Sequence, residues 1–215
     1  EEALYKVLKE TIIASKNIRF EGDGYSEEWK EEAARRGLTN ICHVPEAIMR
    51  FNDPQSRAVL IGENVFNENE LMCRIEVELE KFTKKVQIES RILGDLAINH
   101  IIPTAVTYQN RLLENLRGLR ETFSPEEYEI LGAERKELIK EIQYHILDIK
   151  RMVREMIEAR HIANRKPSQE EKAYSYEECV RPYMEKIREH IDDLELEIDD
   201  EIWPLPKYRE LLFNK

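Results

Sequence analysis

Apolar positions from Glu68 to Arg120 recur every three or four residues: Ile75, Leu79, Phe82, Val86, then Leu93, Ala97, Ile101, Ala105, Tyr108, Leu112, Leu116 and Leu119. This period keeps one helical face against a partner along the whole stretch. It predicts a helix of about fifty residues, roughly 80 Å long at the usual rise, which is more than one small globule needs. Asn67 with Glu70 three positions on reads as a capping box at its start. Pro103 removes one internal hydrogen bond and predicts a kink near Asn99 rather than a stop. The stripe falters at Glu89–Ser90, where the helix is expected to leave one packing partner and join another.

The flanking pattern is also helical. Glu1–Ser15 opens directly in an amphipathic period (Leu4, Val7, Leu8, Ile12) with no capping residue ahead of it. The chain therefore reads as a segment of a longer one. Lys16–Tyr25 reads as extended, turning on Gly22-Asp23-Gly24. Ser26 caps a helix that ends at Gly37. From Leu38 to Phe66, Pro45, Asp53-Pro54 and Gly62 break the pattern into short pieces, predicting a small irregular lobe. Ser124-Pro125-Glu126-Glu127 is a strong helix start, followed by Leu138, Ile142, Ile146, Ile149, Val153 and Met156 in register. Ser168 with Glu171 opens the last long helix, carrying Tyr176, Val180, Tyr183, Ile187, Ile191, Leu194 and Ile198, interrupted at most by Pro182. The expected fold is all-α, an antiparallel bundle of three long helices with a small irregular helical N-terminal lobe.

Composition supports that class and excludes others. Of 215 residues 41% are hydrophobic and 36% charged, with only 7 Gly and 8 Pro, as in long-helix proteins. The net charge of -11 leaves no excess of cations for nucleic acid or an anionic membrane. Cys42, Cys73 and Cys179 are odd in number and unrelated in spacing, which fits free thiols in a reducing compartment. No apolar run spans a bilayer. A soluble cytoplasmic protein is expected.

Candidate chemistry is sparse. Gly22-x-Gly24 lacks the third glycine and the preceding strand of a dinucleotide loop. Glu158-x-x-His161 has the spacing of a di-iron helix pair, but no second copy exists. Glu76/Glu78, Glu78/Glu80 and Glu195/Glu197 are two apart, so on a helix they point away from each other. No triad signature is present. Accordingly no catalytic, cofactor-binding or metal residue is assigned. The acidic run from Asp192 to Glu201 reads as a solvated face, yet acids at a helix end oppose its dipole. Lys207 and Arg209 are the nearby cations expected to answer it, with Leu211, Leu212 and Phe213 docking the tail on the bundle or on a neighbouring subunit.

Several stretches resemble a known family. Glu89-Ser90-Arg91, Ile102-Pro103 with Tyr108-Gln109, FEGDGYSEEW, AARRGLTN and Trp203-Pro204-Leu205-Pro206-Lys207-Tyr208-Arg209 are similar, in order, to the C-terminal end of type III glutamine synthetase. The resemblance implies a parent ligase that makes glutamine from glutamate, ammonia and ATP with Mg²⁺ or Mn²⁺ through γ-glutamyl phosphate. It also implies a dodecamer of two stacked hexamers. On this resemblance residues 1–85 end the catalytic domain and residues 86–215 form the helical C-terminal domain. The family's metal carboxylates, ATP segment and substrate arginines match no position here, so the chain by itself is expected to be non-catalytic and to hold no cofactor. Its partners would be the rest of the ligase chain and neighbouring subunits. The other reading is an independent helical scaffold or adaptor that binds a partner helix; a reading frame with its own start codon just before Glu1 would favour it.

Overall fold

The computed structural model describes residues 2–212, apart from the side chains of Tyr208 and Arg209. It divides into two compact units, Glu1–Cys42 and His43–Lys215. No strand occurs among the described residues.

In the first unit, α1 (Glu2–Ala14) leads into a 3₁₀ turn at Lys16–Ile18 and then α2 (Glu27–Arg35). The stretch expected to be extended thus begins as a helical turn. The Trp29 amide donates to Ser26 Oγ at 3.2 Å, making Ser26 the cap of α2. The helix closes through Leu38 N to Ala33 O (2.8 Å) and Gly37 N to Ala34 O (3.1 Å), with Gly37 at φ +70. This paired closure needs a left-handed residue, which glycine adopts without steric cost. The Phe20 ring lies 5.0 Å from that of Trp29. Glu32 accepts from both Arg35 and Arg36, and these hydrogen bonds pull its carboxyl down to about 2.

The second unit starts with α3 (Val44–Met49), a 3₁₀ turn and α4 (Pro54–Gly62), the short pieces expected around Pro45 and Pro54. The long helix follows as α5 (Glu68–Leu96), a π turn over Ala97–Ile101, and α6 (Ile102–Thr122). Its capping box is present in both directions: Glu70 N donates to Asn67 Oδ1 (2.9 Å) and Asn67 N to Glu70 Oε2 (2.8 Å). α7 (Pro125–Asn164) carries the second box at Ser124 and Glu127. The return helix is α8 (Gln169–Ser175), a second π turn over Tyr176–Val180, and α9 (Arg181–Glu197). Only half of its expected capping box forms, Glu171 N donating to Ser168 Oγ at 3.1 Å.

Two apolar clusters hold this unit. The smaller joins Leu71, Ile75, Leu79 and Ala173, with Ile48, Leu60 and Phe66 packed on it. The larger runs from Val86 through Ala97, Ile101 and Ala105 to Ile142, Ile146, Ile149, Met156, Ile187, Ile191 and Leu194. Phe82 touches both. The handover therefore falls between Phe82 and Val86, one to two turns before the expected Glu89–Ser90. Ser90 is not a break at all: it is fully buried and satisfied by donating to Gln87 O at 3.0 Å. The buried face simply continues through small side chains, Thr83, Ser90 and Gly94. A Cβ on Gly94 would sit 3.5 Å from Val153 Cγ1 and Met156 Cε, so α5 and α7 approach closely there.

Past α9, Ile198 and Trp203 are buried and Leu205 packs on the main cluster. α10 (Tyr208–Leu212) ends the described chain.

Candidate functional site

The residues singled out for chemistry do not converge. Glu158 and His161 are both exposed on α7. Gly22 and Gly24 lie in a turn before a short helix. Cys42, Cys73 and Cys179 are free and exposed. Among the described residues no group of three His, Cys, Asp or Glu could hold a metal ion, and no helix is long and apolar enough to cross a membrane.

At the acidic end of α9, Lys207 answers as expected. Its Nζ donates to the Glu195 carbonyl at 2.8 Å and to the Asp200 carboxylate, which satisfies an orphan carbonyl and sets a cation against the negative helix end. Arg111 on α6 is a second cation there, 3.3 Å from Asp199 Oδ2; distance in sequence hid it. The Arg209 side chain and Phe213 lie outside the described residues. Leu211 and Leu212 are exposed, so they do not dock on the bundle as one of the two expected placements required. Glu197 departs from the solvated face assigned to the acidic run. Its Oε2 is buried without a hydrogen-bond partner, and burial, then Glu141 and Asp193, push its pKa up.

What the fold does bring together are polar contacts between helices. Glu177, buried in the second π turn, accepts from Arg181 Nη1 at 3.0 and 3.1 Å and lies 3.0 Å from His43 Nδ1 at the start of α3. A buried carboxylate persists only with such partners. His145 and His190 meet across α7 and α9 with Nδ1 atoms 2.8 Å apart. Gln109 Nε2 reaches from α6 to the Ile139 carbonyl of α7 at 2.8 Å.

The richest contact joins α5, α7 and the second π turn. Asn164 Oδ1 accepts from Gln87 Nε2 at 3.1 Å and from the Tyr176 hydroxyl at 2.9 Å. One turn along each helix stand Arg91 and Arg160. Arg160 Nε is buried with no hydrogen-bond partner. Burial first, and then the Arg91 charge, lower its pKa. Sequence periodicity could not show this, because long polar residues at helical spacing look like any solvated face.

Two grooves of about 490 and 470 Å³ flank α9. One is lined by Met152, Ala159, Ile162 and Tyr183, the other by Val44, Phe82, Val86 and Met184. Charged side chains line both as well, Arg151, Glu155, Glu178 and Lys186 in the first and Glu78, Lys81, Glu89 and Arg181 in the second.

The family model described as glutamine synthetase C-terminal domain matches residues 3–120. The chain is 72% identical over 215 residues to a glutamine synthetase of Bacteroides fragilis (strain YCH46), a match that takes in 100% of this chain and 30% of that protein. It is 28% identical over 219 residues to the type-3 glutamine synthetase of Dictyostelium discoideum, covering 99% of this chain and 29% of that protein. A Butyrivibrio fibrisolvens glutamine synthetase is 32% identical over 116 residues, 54% of this chain and 17% of that protein. The chain thus spans less than a third of the length of these relatives.

Proposed function

The chain belongs to the glutamine synthetase C-terminal domain family, and from that premise we propose that it is the structural and assembly region of a type III glutamate–ammonia ligase. The observation that carries this reading is the 72% identity along every residue of the chain, set against only 30% of the relative's length. ATP, its Mg²⁺ or Mn²⁺ and the catalytic carboxylates would then belong to the remainder of a cytoplasmic parent ligase. The helical run Glu68–Thr122, about 80 Å long at the usual rise, would brace the catalytic domain. Apolar side chains left exposed, Leu211 and Leu212 in α10 and Ile88 and Ile92 on α5, would meet neighbouring subunits of a dodecamer. Residues 1–85 would close the catalytic domain and residues 86–215 form the appended helical domain. The change of core at Phe82–Val86 supports a boundary near there.

The test compares three preparations: the parent ligase, the ligase lacking the segment that corresponds to residues 86–215, and this chain alone. Analytical ultracentrifugation should show assembly impaired by the deletion, and this chain should form no glutamine. ATP-dependent glutamine formation by the chain alone, or an unchanged oligomer after deletion, would overturn the reading.

A further inference from the structure

His145 on α7 and His190 on α9 set their Nδ1 atoms 2.8 Å apart, with the rings crossing at 70°. Neither ring makes another hydrogen bond or ion pair among the described residues. Both rings are half-buried, so each keeps an edge open to solvent. A hydrogen bond between two imidazoles needs one nitrogen to donate and the other to accept. The pair therefore holds one proton between two Nδ1 atoms, a place that a divalent ion can take instead. The helices carrying the rings are fixed by the main core, with Ile142, Ile146 and Ile149 of α7 and Ile187, Ile191 and Leu194 of α9 buried beside them. Both ligand positions are thus set before any ion arrives, which removes most of the ordering cost of binding.

We propose that His145 and His190 bind a divalent transition ion of the nickel or copper kind, through both Nδ1 atoms, across the seam between α7 and α9. Two imidazole nitrogens about 2.0–2.1 Å from one ion stand about 2.9 Å apart when they bind at a right angle, close to the 2.8 Å between these two. A tetrahedral ion needs about 3.3 Å, so the spacing suits square-planar or octahedral ions better than zinc. In the free protein the ring centroids lie 5.0 Å apart, with the nitrogens facing each other. Histidine χ2 is a soft torsion, and a tilt of each half-buried ring turns both lone pairs to one point while the helices stay in place. The proton that leaves Nδ1 of the donating ring moves to Nε2 of the same ring, so a neutral pair releases none. No third His, Cys, Asp or Glu completes the set among the described residues, and water fills the remaining positions. Acids supply the surrounding field. The Asp148 carboxyl, one turn along α7, is pulled down chiefly by Arg151 and further by both rings. One to two turns the other way along the same seam, Glu197 is opposed first by burial and then by Glu141 and Asp193, a repulsion that a nearby cation relieves.

The experiment follows thermal unfolding of the protein at its natural length during titration with nickel chloride and, separately, copper chloride. Magnesium is in excess throughout, so that oxygen-ligated sites stay filled. Cys42, Cys73 and Cys179 are exposed thiols that compete for either ion, so the reference protein carries Cys42→Ser, Cys73→Ser and Cys179→Ser. A saturable rise in Tm is expected. His145→Gln and His190→Gln, which can keep a hydrogen bond across the seam, should each weaken half-saturation by about tenfold or more, because the remaining imidazole loses a partner held at high effective concentration. His161→Gln, on the exposed surface of α7, should leave it unchanged. Copper at one equivalent should show two equatorial imidazole nitrogens by electron paramagnetic resonance, a readout that needs no variant. No saturable response to either ion, an equal half-saturation in the reference and the His145 or His190 variants, or a copper spectrum with fewer than two such nitrogens overturns the proposal.

Discussion

Pro103 and Pro182 occupy the same place in two different helices: each is the second residue of an α segment that follows a five-residue π turn. A proline inside a helix has no amide for the carbonyl four residues back, and its ring collides with that carbonyl. The wider turn makes room for it. In both turns the first and last residues are fully buried, Ala97 and Ile101 in one, Tyr176 and Val180 in the other.

Because packing grips both ends of each π turn, packing rather than the ring should set the register. Pro103→Ala and Pro182→Ala are therefore expected to stay within about 1 kcal/mol of the parent in urea unfolding. A loss beyond about 3 kcal/mol in either variant would show that the proline itself holds the turn.

The core between α7 and α9 gives a second test. Ile146 and Ile191 are buried in one cluster with Ile149, Ile187 and Leu194, and Leu112 packs on it from α6, whereas Leu116 is buried near Gly132 instead. Ile146→Ala and Ile191→Ala should each cost about 2–5 kcal/mol, the range for emptying a well-packed site. Negligible shifts in the denaturation midpoint would mean the helices do not pack through these residues.

The bundle was legible in the sequence because its buried face is written in Leu, Ile, Val and Ala at helical spacing, and because Asn67, Ser26 and Ser124 announce helix starts through short-range chemistry. Less legible was anything resting on small or polar side chains. Ser90 and Gly94 look like interruptions until the close approach of α7 explains them. Gln87, Asn164, Arg91 and Arg160 look like a solvated face until two helices are set against each other in register. The π turns were half visible: the prolines marked the disturbance, but only tertiary packing decides between a kink and an inserted residue.

Glu197 makes a pH-dependent prediction. Its carboxyl is partly buried at the last turn of α9, where the helix end also disfavours negative charge, and burial raises its folded pKa above the ordinary 4.5. The folded state thus holds the proton more tightly than the unfolded state. The stabilising contribution of the protonated form is full below the unfolded value and is lost as pH rises through the folded one. Glu197→Gln, which keeps the neutral shape at every pH, should raise Tm at pH 7, and the difference from the parent should shrink as pH falls to about 4. A constant difference across that range would mean that Glu197 does not titrate in the way its surroundings dictate.

The tail separates two contributions that lie five residues apart in sequence. Lys207 is largely covered, its side chain 16% exposed, and it joins the Glu195 carbonyl to Asp200 just past the end of α9. It closes a helix end that would otherwise present an unmet carbonyl among acids. Leu211 and Leu212 bury little, at 58% and 64% exposure. Lys207→Ala should therefore lower stability by about 1–2 kcal/mol, the scale of a charge-assisted bond at a helix terminus. The double replacement Leu211→Ser with Leu212→Ser should leave the melting temperature of the isolated chain where it was. In the parent ligase the order should reverse if α10 meets a neighbour, with the leucine variant loosening assembly, because each large apolar side chain taken out of water at an interface contributes about 1.5–3 kcal/mol. A leucine variant that destabilises the isolated chain as much as Lys207→Ala would show that α10 packs on its own bundle after all.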